Sequence, residues 1–188
     1  LALYILAFVE NVLLYQRLKN TQKEVIHKLS QASKYKDEQT YNHTIRVGEY
    51  SGLIARGIGW TEQAVETITL AAPMHDIGKV GVPDRIIQKP GRLTNLEWLE
   101  IQKHTTFGYE VMREGGSSQL TDMAATIALE HHERWDGKGY PHGKAGDGIR
   151  LPARIVSVAD VFDTLRSRRP WKSAWSLRKT TAELKRCT

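Results

Sequence analysis

Apolar positions recur at helical spacing through most of the chain, and nowhere do they alternate over the length of a strand. The stretch from Asn11 to Lys36 has no glycine or proline and is rich in Leu, Gln, Lys and Glu, which predicts one continuous helix. Further helical patterns lie at 38–58, 62–75, 95–112, 119–132, 152–165 and 176–185. Thr61 before Glu62, and Thr94 with Glu97 three residues on, are helix starts in which a hydroxyl caps free N–H groups. The glycine-bearing stretches 78–91 and 137–148 read as two long loops. An all-α helical bundle is expected, with residues 1–36 as a long N-terminal linker helix and 37–188 as one folded domain. In the leading helix Leu18, Val25 and Ala32 stand seven apart and Leu29 joins them, barely two heptads. A helix packed on its own domain and a homodimeric coiled coil both fit so short a seam.

Composition narrows the class. A chain of 188 residues, 40% apolar and 26% charged, has the balance of an ordinary globular domain. The single cysteine, Cys187, rules out an internal disulfide and a thiolate zinc finger. A net charge of +6 favours an anionic partner without choosing among phosphates, nucleic acid and acidic lipid, and a solvated basic surface fits equally well. The apolar opening Leu1 to Val9 is less than half of the ~20 residues that span a bilayer. It also lacks the basic start and cleavage site of a signal peptide. A chain opening on leucine reads as a piece of a longer protein, with no membrane segment expected within it and a cytoplasmic location expected for it.

The candidate chemistry lies in the histidines. Of seven, five sit beside or within reach of acidic residues in separate helical segments, and His75-Asp76 and His131-His132 stand at predicted helix ends. Adjacent helical residues point about 100° apart, so such pairs are useful where side chains converge on a metal from a helix end. Imidazole nitrogen with carboxylate oxygen suits Mn, Fe, Ni or Zn. A lone histidine is more often a hydrogen-bonded structural residue; five of them with two aspartates point to a metal site.

The string His75-Asp76-Ile77-Gly78-Lys79-Val80-Gly81-Val82-Pro83-Asp84, then Lys89-Pro90-Gly91 and Leu93-Thr94, resembles the HD-GYP phosphodiesterases, a branch of the HD hydrolases. His131-His132-Glu133-Arg134-Trp135-Asp136-Gly137-Lys138-Gly139-Tyr140-Pro141 carries the GYP signature, and Ala159-Asp160-Val161-Phe162-Asp163 and Arg169-Pro170-Trp171-Lys172 follow in family order. The resemblance runs from about Glu24 to Glu183. It implies a bacterial signalling output domain, of response-regulator or sensor type, that hydrolyses cyclic di-GMP to pGpG or GMP. It implies His43, His75, Asp76, His104, His131, His132 and Asp160 as metal ligands, with Asp76 bridging and Lys79 beside the metals. It implies Asp163, Arg169 and Lys172 as contacts to the dinucleotide, and no nucleic-acid duplex as partner. Fe or Mn is the favoured metal, with Ni or Zn also fitting. Two such ions can lower the pKa of a bridging water and clamp the phosphodiester, while arginine and lysine neutralise charge building on the phosphate. The glycine-rich loop also contacts partner proteins in this family, so Tyr140 and Trp135 each have a packing and an interface reading; packing is favoured for Trp135.

The chain departs from the family at three places. Gln39 stands where many members have a glutamate ligand to a third metal, which predicts two metals, since an amide is a poorer ligand for a hard cation. Arg166 replaces a small hydroxyl residue, and the chain ends at Thr188 before the usual closing helix. These leave two rival readings: a catalytically weak module that binds a cyclic dinucleotide or a protein, and a hydrolase for another cyclic dinucleotide.

Overall fold

Thr61 caps α3 (Glu62–Ala71) through the Ala64 N–H, and Thr94 with Glu97 forms the reciprocal box that opens α5 (Asn95–Gln102), both where the sequence places helix starts. The computed structural model describes residues 1–34, 41–168 and 173–187. Among these every regular element is helical, and pairing of β type is limited to an isolated bridge between Asp136 and Ala145.

The first helix, α1 (Ala2–Lys34), starts earlier than the pattern from Asn11 suggests, because the apolar opening consists of helix-compatible residues with no breaker. It meets the body through buried Ile26 and through Lys19, whose Nζ lies 2.6 Å from Glu66. Its other apolar side chains, from Leu3 to Leu29, are largely exposed. No helix among the described residues is long and apolar enough to cross a membrane.

Four helices enclose the core: α2 (Tyr41–Gly57) packs on α3 and on α8 (Leu151–Arg166), while α7 (Gln119–Glu130) packs on α3 and α8. Val47, Val65, Ile68, Ile127, Ile155 and Val156 fill the interior. Alanines 55, 71, 72, 124 and 159 among them let the helices approach closely. The terminal α9 (Leu177–Cys187) packs on α8.

Two of the helical patterns break, and the two predicted loops carry short helical turns. The 62–75 pattern leaves the α-helix at Ala71 and continues as a 3₁₀ turn, Ala72–Met74, because Pro73 has no N–H and its ring obstructs the preceding turn. The 95–112 pattern is two helices, α5 and α6 (His104–Arg113), parted at Lys103. Here Thr105 donates to the Gln102 carbonyl, competing with a continuous helical ladder, while the Lys103 carbonyl accepts from both the Thr106 hydroxyl and the Phe107 N–H. The 78–91 stretch, read as a loop, holds a 3₁₀ turn Ile77–Gly81 and the short α4 (Asp84–Ile87). The 137–148 stretch is loop closed by a 3₁₀ turn, Gly146–Gly148.

Candidate metal centre

The breaks in the helices place the candidate ligating groups. His43 lies in the first turn of α2, His75 and Asp76 in the junction between two 3₁₀ turns, and His104 at the first position of α6. His131 caps the C-terminus of α7 with His132 beside it, and Asp160 projects from α8. Three rings are oriented by backbone carbonyls: His75 Nδ1 donates to Ala72 O at 2.9 Å, His104 Nδ1 to Ile101 O at 2.7 Å, and His131 Nδ1 to Ile127 and Ala128 O at 3.0 Å. A carbonyl only accepts, so each Nδ1 carries the proton and each Nε2 presents a lone pair to the interior.

Those lone pairs converge in two groups, Asp76 with His104, His131 and His132, and His43 with His75 and Asp160, each within 4.8 Å across its ligand atoms. Asp76 lies between them. Its Oδ1 is 3.4 Å from His104 Nε2 and 3.8 Å from His131 Nε2, and its Oδ2 is 3.3 Å from His75 Nε2 and 2.8 Å from Lys79 Nζ. His43 Nε2 is 3.2 Å from Asp160 Oδ1. Among the described residues His43 Nε2, His75 Nε2 and Asp76 Oδ1 are buried without a hydrogen bond. His104 Nε2 and His131 Nε2, both acceptors, face each other at 3.5 Å. Two lone pairs aimed at one point, beside an orphaned carboxylate oxygen, are unfavourable without a positive charge between them. The donor set therefore fits divalent cations.

The electrostatics agree. Burial pushes His104 down to about 4 and His132 down to about 2, so both rings are neutral, the form that binds metal. Burial alone would raise Asp76 and Asp160, yet Lys79 and His75 hold Asp76 well below the carboxylate range, and His43 does so for Asp160. Burial also works against a charged His43, but Asp160 and Asp163 outweigh it and raise that ring to about 9. A cation on Nε2 would displace that proton.

The loop after His132 closes over this centre. Buried Glu133 accepts from the backbone N–H of His142 at 2.7 Å and of Lys144 at 2.9 Å. Buried Glu130 accepts from Lys144 Nζ at 2.6 Å and Arg150 N at 2.7 Å. Tyr140 donates its N–H to His132 O, and its ring lies 4.7 Å from that of His132. A Cβ at Gly139 would strike the backbone of Arg134 and Glu133. Trp98 stands edge-on to Tyr140 at 6.2 Å.

The model of the HD domain family matches residues 27–187. The chain belongs to the HD-domain family. The chain is 42% identical over 167 residues to the cyclic di-GMP phosphodiesterase response regulator RpfG of Xanthomonas campestris pv. campestris, covering 89% of this chain and 44% of that protein. It is 39% identical over 175 residues to the 3'3'-cGAMP-specific phosphodiesterase 2 of Vibrio cholerae, covering 93% of this chain and 33% of that protein. The chain thus spans less than half the length of these relatives. The HD domain of the Listeria monocytogenes phosphodiesterase PgpH, solved in complex with cyclic di-AMP, superposes with a TM-score of 0.61 at 20% identity, over 85% of this chain and 80% of that one. The HD-GYP resemblance carried by the His75-Asp76 and Gly139-Tyr140-Pro141 strings therefore holds.

Within this HD domain the seven residues singled out as ligands come together, and Lys79 stands against Asp76. Asp163, assigned by resemblance to the dinucleotide, is 1% exposed and bonded to His43 and Arg46, so it lies behind a candidate ligand histidine. Arg169, Lys172 and Gln39 fall outside the described residues. Arg166 donates to the Trp175 carbonyl at 2.7 Å. Trp135 is half-exposed, with the Arg154 guanidinium 5.4 Å above its ring. Sequence reasoning missed Arg46, Glu130 and Glu133. Arg46 stands one helical turn after His43, and Glu130 and Glu133 directly flank His131-His132, which is the signal that could have found them.

Proposed function

We propose that this HD domain is a metal-dependent phosphodiesterase that opens cyclic di-GMP to pGpG or GMP. The observation that carries this reading is the pair of ligand groups sharing Asp76, with buried acceptor atoms turned toward each other. The names of the relatives support the substrate class. His43, His75 and Asp160 would hold one ion and His104, His131 and His132 the other, with Asp76 between. Two ions rather than three, Fe or Mn by preference, accord with Gln39 in place of a glutamate. When bound, such ions supply a hydroxide at neutral pH and polarise the phosphodiester.

The chain's own groups do the rest. Asp76 keeps its charge at neutral pH because Lys79 and the histidines favour it, so it can serve both ligand groups at once. Lys79 brings positive charge to the rim where phosphate oxygens gain charge in the transition state. Arg169 and Lys172, assigned by resemblance, would contact the phosphates of the dinucleotide. Tyr140 shields the His132 side from water and presents an aromatic edge to an incoming nucleotide.

The partner assignments belong to the same reading. Leu18, Val25 and Leu29 of the heptad seam are exposed while Ile26 packs inward, which supports a homodimer through α1 rather than packing of that seam on the domain. Residues 1–36 then serve as the signalling helix of a cytoplasmic protein, and the Glu133-pinned loop offers a surface for a protein partner.

Protein loaded anaerobically with Mn or Fe is incubated with cyclic di-GMP, 3'3'-cGAMP and cyclic di-AMP, beside Asp76→Ala, with products followed by chromatography. Linear products from cyclic di-GMP, at least 100-fold reduced in the variant, are expected. Faster turnover of another dinucleotide would move the substrate. No turnover of any at two metals per chain would replace the enzyme reading with a binding module.

A further inference from the structure

Four histidines of the centre use Nδ1 to fix the ring, and one of them does so differently. His75, His104 and His131 lean on backbone carbonyls of their own segments. His43 leans on a carboxylate: its Nδ1 donates to Asp163 Oδ2 at 2.7 Å, across 120 residues of chain. That carboxylate is itself gripped. Arg46, one turn after His43 on α2, donates Nε to Asp163 Oδ1 at 2.6 Å and Nη2 to Oδ2 at 2.9 Å. Ser167 adds its hydroxyl to Oδ2 at 3.2 Å and receives the same Nη2 at 3.1 Å.

We propose that Arg46 and Asp163 are positioning residues that set the metal affinity of the His43–His75–Asp160 half of the centre, and of that half alone. The inference rests on the dinuclear reading above and deepens it. A carboxylate behind an imidazole fixes the tautomer and makes Nε2 a stronger donor to a cation than a carbonyl does. Asp163 must be ionised and aimed to do this, and 1% exposed it has no water to hold it in place. The forked guanidinium supplies both the compensating charge and the aim. Without Arg46, two carboxylates one helical turn apart on α8, Asp160 and Asp163, would compete for one histidine with no counter-charge, and the ring would lose its fixed direction toward the metal. In the second group His104 and His131 have no such dependence, because backbone carbonyls of their own segments fix their rings.

Asp163→Asn and Arg46→Gln are each titrated with Mn(II), free ion being read by electron paramagnetic resonance. Crystals soaked at a concentration that saturates the wild type are read by anomalous scattering. One ion per chain should weaken by about 10–100-fold while the other is unchanged. The anomalous peak should fade beside His43, His75 and Asp160 and persist beside His104, His131 and His132. The spectrum of a coupled Mn pair should give way to that of isolated ions, and Arg46→Lys should restore part of the affinity, since it keeps the charge but not the fork. Arg46 is one-third exposed, so its variants carry the measurement should Asp163→Asn fail to fold. Equal weakening of both ions, or no weakening of either, would overturn the inference. A wild-type protein that binds fewer than two ions would instead overturn the dinuclear reading beneath it.

Discussion

The two halves of the candidate metal centre, the Asp76–His104–His131–His132 group and the His43–His75–Asp160 group, are built by different means. Around Asp76, the His104 and His131 rings are anchored on carbonyls three or four residues back, so they are correctly aimed once two helix ends have formed. Around Asp160, His43 is aimed by a side chain from another helix that is aimed by a third. The first half inherits the rigidity of secondary structure, and single side chains matter to it mainly through packing. The second half exists only after α2 and α8 have docked, and its ligand strength depends on replaceable groups. Mutations should therefore affect the first half through stability and the second through metal affinity.

The largest effect should come from the backbone-anchored half. A Cβ at Gly78 would run into the carbonyl oxygen of His104 and the backbone of Gly108, and neither can rotate away. In Gly78→Ala the 3₁₀ turn bearing Lys79 must part from α6, at a cost of about 3 kcal/mol, the upper end for overpacking. A shift of about 1 Å in His104 should add a loss of roughly 100-fold in turnover. Thermal unfolding with chelator and turnover with metal check the two parts. A Gly78→Ala protein of wild-type stability would show that the half is softer than its anchors suggest.

The contrast also governs what could be read from the chain. The helices of the core and the caps at Thr61 and Thr94 were legible because periodicity and capping chemistry are local signals, and so were the adjacent pairs His75-Asp76 and His131-His132, whereas His43, His104 and Asp160 joined the candidate ligands only through the family resemblance. The break at Lys103 was not legible, since the Thr105 hydroxyl taking the Gln102 carbonyl is a choice between two locally acceptable arrangements. Asp163 was assigned to the substrate by resemblance; its bonds to His43 and Arg46, more than 100 residues away, have no local signal in the sequence. Glu130 and Glu133 carry no local signal either, because the groups that bond them come from the loop that runs on to Arg150.

A middle-sized effect is expected at that loop, which touches the backbone-anchored half from outside. Glu133→Ala removes the acceptor of two backbone N–H groups, those of His142 and Lys144. The loop can recover part of the loss by admitting water, so destabilisation of about 2 kcal/mol is expected, less than the two charge-assisted bonds at full value. Tyr140 would lose its support against His132, so turnover should fall while binding of the ion beside His43 stays constant. Glu133→Gln, keeping one acceptor, should fall between. Unfolding midpoints and metal titrations on the same samples separate the two effects, and a changed affinity at the His43 ion would mean that the halves are coupled through the loop.

The smallest and sharpest test is the pH dependence of stability in the metal-free protein, where the two halves should pull in opposite directions. His104 and His132 are held neutral by burial, down to about 4 and about 2, against an ordinary 6.5. Below pH 6.5 the unfolded chain takes up protons that the fold refuses, so stability should fall as the pH drops from 6.5 toward 4. His43 is raised to about 9 by Asp160 and Asp163, against burial. Its contribution is fully present below pH 6.5 and is lost as the pH rises from there through 9. Denaturant midpoints in chelator should therefore peak near pH 6.5, with an acid limb from the backbone-anchored half and an alkaline limb from the carboxylate-anchored half. Asp163→Asn removes one of the two carboxylates that raise His43, so it should flatten the alkaline limb and leave the acid limb in place. If both limbs flatten together, the two halves titrate as one unit and their separate construction has no energetic consequence.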